Sequence, residues 1–474
     1  MQPLTTVVRT WKIGNFFIMA HSGNKGNKSL ISDGRARLSE ESRGGSLGIV
    51  AKTSSPVDFK GLFCRDTGEV LDTEISSKGE VVLKPDLRKS RSERWAMKSV
   101  VNRLLPKEKT AQCMVLRAPS PMGGLSDIEL CKSDSLKKAF YQGLIVCGRV
   151  WTCPLCAAKI SERRRIELRE ALEVAKTKNY AIHFVTLTFP HGISDDLNEI
   201  LPKMTKAYGK LANGKYSVKS QLKSLDDKAQ IHGFIRAVEV THGKNGFHPH
   251  VHMIVFTDSG TGSSLLEYVY RKAWQRACRL SDLPVPSDQH GCTVQDGSFA
   301  DEYASKWGIE DEMTKANQKR AKNKGMTPWG FLRCVVDGDN PDYPPERAES
   351  LFRVYAKAFK GKRQLYWSNG LRALLSMSKE TTDEELAQKP DDERAHLLAS
   401  ITVEQWKAIR KAKQEANLIS VAELNPSAVS LFIQNLTLEP LREGTPPRGR
   451  GCPNGFEGEH SRIYEISNRT GNYG

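Results

Sequence analysis

Phe247-His248-Pro249-His250-Val251-His252-Met253-Ile254-Val255 sets three histidines at alternate positions in a run that ends apolar. In a β-strand, alternate side chains share one face. The three imidazoles would stand together, with Met253, Ile254 and Val255 carrying the strand into apolar surroundings. Imidazole is the commonest metal ligand among side chains that are neutral near pH 7. The competing reading is a solvent-exposed polar strand face. Histidines at i, i+2 and i+4 favour a metal platform.

Working outward, Phe234-Ile235-Arg236-Ala237-Val238-Glu239-Val240 reads as the preceding strand. His242-Gly243-Lys244-Asn245-Gly246 between them carries turn signals. A two-residue loop at Asn245-Gly246 would set Glu239 opposite His252; a four-residue loop from Gly243 to Gly246 would set it opposite His250. Both registers bring the carboxylate to the histidine face. One carboxylate with two imidazoles suits Mg²⁺, Mn²⁺ or Zn²⁺ and leaves positions open for substrate oxygens.

The surrounding chain has 474 residues, room for two or three folded units. It carries 71 Lys and Arg against 55 Asp and Glu, a net charge of +16. Its pI is near 9.3, which favours a polyanionic partner such as nucleic acid. No apolar run is long enough for a transmembrane helix, and the stretch up to Met19 is a poor signal peptide. No membrane association is expected. Ten cysteines in a chain this long do not make a disulfide scaffold, and their clustering points to metal binding in a reducing, cytoplasmic compartment.

Residues 1–90 read as disordered, and 91–165 as a basic, Cys-rich module. Strands follow at Ile182–Phe189, Phe234–Val240 and the histidine run. Helices are expected at Ala157–Lys178, Ser263–Leu280 and Phe299–Gly308. The segment 374–440 reads as helical, with Thr402 and Gln405 spaced for a capping box, and 441–474 as a disordered tail.

A metal that polarises a phosphate still needs an attacking group. Tyr303 with Lys306 three residues later would share a helix face, and an ammonium near a phenol stabilises the phenolate. Tyr355 and Tyr366 are the competitors. In Cys147-x5-Cys153-Pro154-Leu155-Cys156, the C-P-x-C turn points two thiolates at one ion. Cys131 is the first choice to close a structural Zn²⁺ site with these three, and Cys113 the second. Four thiolates would leave no open position, so this site carries no catalysis. Arg163 and Arg164 on the following basic helix, and Lys315, Lys319, Arg320 and Lys322 after the tyrosine, are expected to contact DNA phosphates.

His250-Val251-His252-Met253-Ile254-Val255 resembles the HUH motif of HUH endonucleases. Phe184-Val185-Thr186-Leu187-Thr188-Phe189-Pro190 resembles the preceding strand motif of plasmid rolling-circle replication initiators. Tyr303 to Lys306 resembles their Y-x-x-K. The three motifs stand in the right order, and the resemblance covers roughly Cys131 to Leu371. It implies an α+β fold, with an HUH domain over 166–373 built on a central antiparallel sheet flanked by helices. The small zinc-binding module would precede this domain and the helical region follow it. Carried over, His250 and His252 are metal ligands, with Glu239 or His248 as the third, and Tyr303 is the nucleophile. The implied reaction is a nick in single-stranded or supercoiled plasmid origin DNA that leaves a 5′-phosphotyrosine and a free 3′-OH primer, with Mg²⁺ or Mn²⁺ as cofactor. Relatives place an acid four residues before the tyrosine for termination, where this chain has Phe299. No G-x-x-x-x-G-K-[ST] occurs, so unwinding falls to a host helicase and extension to a host DNA polymerase in a bacterial cytoplasm. An HUH transposase or relaxase, or a non-catalytic zinc-stabilised DNA-binding regulator, are the alternatives.

Overall fold

The computed structural model describes residues 87–297, 325–389 and 394–438, together with the backbone of short strands within 8–85. The latter include two antiparallel pairings, 8–13 with 16–21 and 71–75 with 81–85, inside the stretch that reads as unstructured. Their β-branched and aromatic residues suit extended pairing. The expected helix at 299–308 lies outside the described residues.

From residue 87 the chain forms α1 (Leu87–Leu104), β1 (Ile128–Ser133), β2 (Lys138–Gln142), α2 (Pro154–Thr177) and β3 (Tyr180–Leu187). Next come α3 (Leu197–Ala212), α4 (Val218–Leu225), β4 (Ile231–Gly243), β5 (Gly246–Asp258), α5 (Ser263–Arg279) and β6 (Cys292–Asp296). After the undescribed segment follow α6 (Pro328–Asp337), α7 (Pro345–Ala358), β7 (Leu365–Trp367) and α8 (Asp383–Gln388). The last elements are β8 (His396–Ile401), α9 (Val403–Lys411), α10 (Glu415–Leu424) and α11 (Val429–Leu438).

The central sheet has the order β6-β3-β5-β4-β7, and every neighbouring pair is antiparallel. β5 sits in the middle because its sequence is apolar on both faces from Met253 to Phe256. Val251, Met253 and Val255 face one layer, which holds α3, α4, α5, α6 and α7. Ile254 and Phe256 face α2 and Leu371 on the other side. Each such side chain, fully buried, contributes about 1.5–3 kcal/mol. α2 meets this face through Leu168, Ala171, Leu172 and Ala175, a 3-1-3 spacing that lies along one stripe of a helix. The fold is thus α+β, with antiparallel sheets flanked by helices.

A second core joins distant parts of the chain. β8 pairs with β1, which pairs with β2, and α1 and α9–α11 pack around them. Tyr141 lies between the Trp95 and Trp406 rings and donates its hydroxyl to the Glu415 carbonyl at 2.8 Å. Arg91 grips Glu423 at 2.6 and 2.9 Å. The 374–440 segment is therefore not helical throughout: His396–Ile401 is a strand, buried at Ile401, that completes a sheet begun near residue 128. The Thr402/Gln405 capping box is present at the start of α9. No helix among the described residues is long and apolar enough to cross a membrane.

Candidate metal centre

β4 and β5 form one hairpin, with Glu239 opposite His250. This is one of the two expected registers, closed by a different turn. Gly243 pairs with Gly246, so the loop is Lys244-Asn245 and Gly246 already belongs to the strand. Gly246 takes φ +82°, which glycine adopts without strain, and a Cβ there would lie 3.1 Å from the Gly192 carbonyl oxygen. The glycine thus serves both the turn and the close approach of the 190–195 loop.

The alternation of β5 brings His248, His250 and His252 to one face, and cross-strand pairing adds Glu239 from β4 and Thr186 from β3. Glu239 Oε2 lies 3.4 Å from His250 Nε2 and 3.2 Å from His252 Nε2. The three residues can offer their ligand atoms to a single ion. His250 Nδ1 lies 3.3 Å from the His248 carbonyl oxygen, an acceptor only, so this nitrogen carries the proton. In the neutral ring Nε2 then holds a lone pair directed at a carboxylate oxygen. Those two atoms repel unless a proton or a metal cation joins them, and the donor set is therefore one that fits a divalent ion. His252 Nδ1 meets Thr186 Oγ1 at 3.1 Å, and the Phe184 ring stacks on the imidazole at 5.1 Å between centroids. These contacts fix the ring with Nε2 toward Glu239, as outer contacts do for metal-bound histidines.

His248 stands apart from this trio. Its Nδ1 meets His191 Nδ1 at 3.0 Å. Burial, then His250 and His191, push its pKa down to about 4, so it is neutral near pH 7. Sequence reasoning missed His191 and gave Thr186 no separate role. Both stand in or just after the Phe184–Pro190 run, and placing that run beside the histidine strand would have exposed them.

Tyr303, Lys306, Lys315, Lys319, Arg320 and Lys322 lie outside the described residues, as does Phe299. Of the competing tyrosines, Tyr355 is 2% exposed and packs on Phe352 and Phe359, on the side of the sheet away from the histidines. Tyr366 flanks Arg236, whose guanidinium lies 4.4 Å from both the Tyr366 and the Tyr208 ring centroids.

The second ligand cluster comprises Cys113, Cys147, Cys153 and Cys156, all buried. Cys131 is not among them: it sits in β1, paired with Phe140 and Leu397. Cys113 arrives because Met114 N–H donates to the Ile145 carbonyl at 2.8 Å and Ile145 N–H to the Leu116 carbonyl at 2.8 Å, which draws the segment beside Cys147. The Sγ separations include 3.6, 3.6 and 3.7 Å. A tetrahedral Zn²⁺ with bonds of about 2.3 Å requires edges of about 3.8 Å. The Cys113 and Cys147 thiols raise Cys156, and burial raises Cys153, while Cys147 is held low by its three neighbours. Four thiols this close cannot all ionise without a compensating cation.

Arg163 and Arg164, expected to contact DNA, make contacts within the protein. Arg164 is 4% exposed, pairs with Glu167 at 3.1 Å and Asp383 at 3.3 Å, and donates to the Thr381 carbonyl. Arg163 donates to the carbonyls of Leu386 and Lys389. Both hold α8 against α2, where Ala387 packs on the cysteine cluster.

The chain matches a family model described as replication protein over residues 139–415. It is similar to a "Protein rep" of Streptomyces lividans, 27% identical over 347 residues, covering 59% of this chain and 76% of that protein. It is also similar to a "Neomycin resistance protein" of Streptomyces cyanogenus, 31% identical over 139 residues, covering 25% of this chain and 32% of that one. A "Protein rep" of Streptococcus pneumoniae is 25% identical over 142 residues, 28% of this chain and 41% of its own. No solved structure gives a significant match.

Proposed function

The chain belongs to the replication-protein family, and from that premise we propose that it starts rolling-circle replication of a plasmid by nicking one strand of origin DNA. The observation that carries the reading is the Glu239 carboxylate oxygen 3.2 and 3.4 Å from two imidazole nitrogens that converge on it from one strand face. Glu239, His250 and His252 hold a divalent ion, Mg²⁺ or Mn²⁺, and His248 is kept by His191 as a neighbour of the site. When bound, such an ion polarises a phosphodiester and stabilises charge on the leaving oxygen.

The chain's own residues supply the rest. Tyr303 attacks the phosphorus and loses its phenolic proton; the bond to the 3′ oxygen breaks and a 5′-phosphotyrosine forms. The freed 3′-OH becomes the primer for a host polymerase. Lys306 offsets charge on the phosphate and favours the phenolate. The nuclease unit is assigned to 166–373. Cys113, Cys147, Cys153 and Cys156 hold a structural Zn²⁺ beside it.

The test is incubation of purified protein with Mn²⁺ and single-stranded origin DNA. A covalent protein–DNA adduct is expected, and Tyr303→Phe should abolish it. An adduct that survives Tyr303→Phe but disappears with Tyr355→Phe would overturn the choice of nucleophile. Absence of nicking by the wild type on any origin-derived strand would leave a DNA-binding regulator instead.

A further inference from the structure

From Leu201 to Leu225 the chain carries six lysines and no acidic residue. Buried Leu201, Met204, Ala207, Tyr208 and Leu211 turn one side of α3 to the core, and Lys206 and Lys210 are exposed. Lys215 and Lys219, at and after the α3–α4 loop, are exposed as well. Tyr216 between them is 45% exposed, with the Arg276 guanidinium 4.0 Å and Lys215 Nζ 4.9 Å from its ring centre.

Among the described residues, the charged ends of these four lysines and of Arg276 have no acidic partner and no hydrogen bond. Several arginines elsewhere are used differently. Arg91, Arg164, Arg333 and Arg372 each grip a carboxylate at 2.5–3.3 Å. Unpaired like charges on adjoining helices repel one another weakly through solvent, and a polyanion laid across them turns that repulsion into attraction. Lysines meet phosphates as mobile point charges, without reading base sequence. An arginine laid on a tyrosine face keeps its N–H fork free in the plane for a phosphate.

We propose that Lys206, Lys210, Lys215, Lys219 and Arg276, around Tyr216, form a second DNA-holding surface that grips backbone phosphates regardless of sequence. It lies on the helical layer covering the sheet face opposite Glu239, His250 and His252. It therefore acts on affinity for longer DNA and not on the chemistry at the nick. The proposal rests on the DNA-nicking reading above.

The experiment measures binding of the full chain to a duplex of about 40 base pairs and arbitrary sequence by fluorescence anisotropy, between about 50 and 200 mM NaCl. Wild type is compared with a quadruple variant, Lys206→Gln, Lys210→Gln, Lys215→Gln and Lys219→Gln, and with Glu239→Gln. The quadruple variant should bind at least about tenfold more weakly at the lower salt, with a log–log salt slope shallower by about 3. Its nicking of a short single-stranded oligonucleotide should be unchanged. Replacing the same four positions by Arg should restore both affinity and slope, which separates charge from folding. Glu239→Gln should bind the duplex as the wild type does. Wild-type affinity and slope in the quadruple variant would overturn the proposal while leaving the nicking reading intact. Failure of the wild type to bind any DNA would remove both. Loss of binding to phosphatidylserine vesicles, with duplex binding kept, would assign the surface to lipid and also overturn it.

Discussion

Glu239 has its charge placed by strand pairing alone. Its carboxylate stands where two imidazole nitrogens converge. Substituting Glu239→Gln keeps the shape and removes the charge. Mn²⁺ affinity should fall at least about tenfold, by analogy with losses at contacts around known metal sites, and titration calorimetry reads it directly. Unchanged affinity would mean that the ion, if bound at all, sits elsewhere. This much was visible in the sequence, because a period of two puts histidines 250 and 252 on one face and a neighbouring strand can only add to that face or avoid it. The contact between His248 and His191 was not visible. His191 comes from another strand's end, and a single sequence contains no rule for which strand lies next to which.

Among elements, the hairpin illustrates how a register can be right while its turn is wrong. Asn-Gly is a strong two-residue turn signal, yet Gly246 is used one position later, as the left-handed residue that leads into the strand. The Glu239–His250 pairing survives because Lys244-Asn245 closes the same register as the four-residue alternative. The cysteine cluster shows the opposite case. The C-P-x-C turn was legible, but the fourth thiol depends on which segment the Ile145 backbone pairs with, and that segment carries Cys113. Metal analysis of purified protein should therefore find about one Zn per chain in the wild type and in Cys131→Ser, and well under half of that in Cys113→Ser. Equal zinc in both variants would remove Cys113 from the ligand set. The arginines of α2 teach a related lesson: a basic run on a helix says nothing of the contacts its guanidiniums make within the fold, here with α8 and the residues flanking it.

Taken as one molecule, the chain is two bodies that interleave. The central sheet runs from β3 to β7, while β1, β2 and α1, which precede it in the chain, join β8 and α9–α11, which follow it. Ending the chain at residue 394 would uncover Trp95, Leu130 and Tyr141. Losing burial of three such side chains costs on the order of 5 kcal/mol, comparable with the net stability of many domains. The truncated protein should bind a hydrophobic dye such as ANS and lose solubility on mild heating. A truncated chain that stays soluble and binds no dye would show that the β1–β2 body stands without its C-terminal partner. None of this pairing was legible from local patterns, since β1 and β8 are separated by the entire central sheet.

The β1–β8 pairing also has a consequence for how the protein is made. A ribosome delivers β1 and β2 first and the five strands of the central sheet next. Only after Trp367 has emerged does it deliver the strand that covers the free edge of β1. For most of its synthesis each copy therefore carries an open, partly apolar strand edge, the feature through which nascent chains pair wrongly with one another. Slowing translation between residues 260 and 396, while the edge is still uncovered, should lower the yield of folded protein far more than slowing it after residue 438, once the covering strand and its helices have been made.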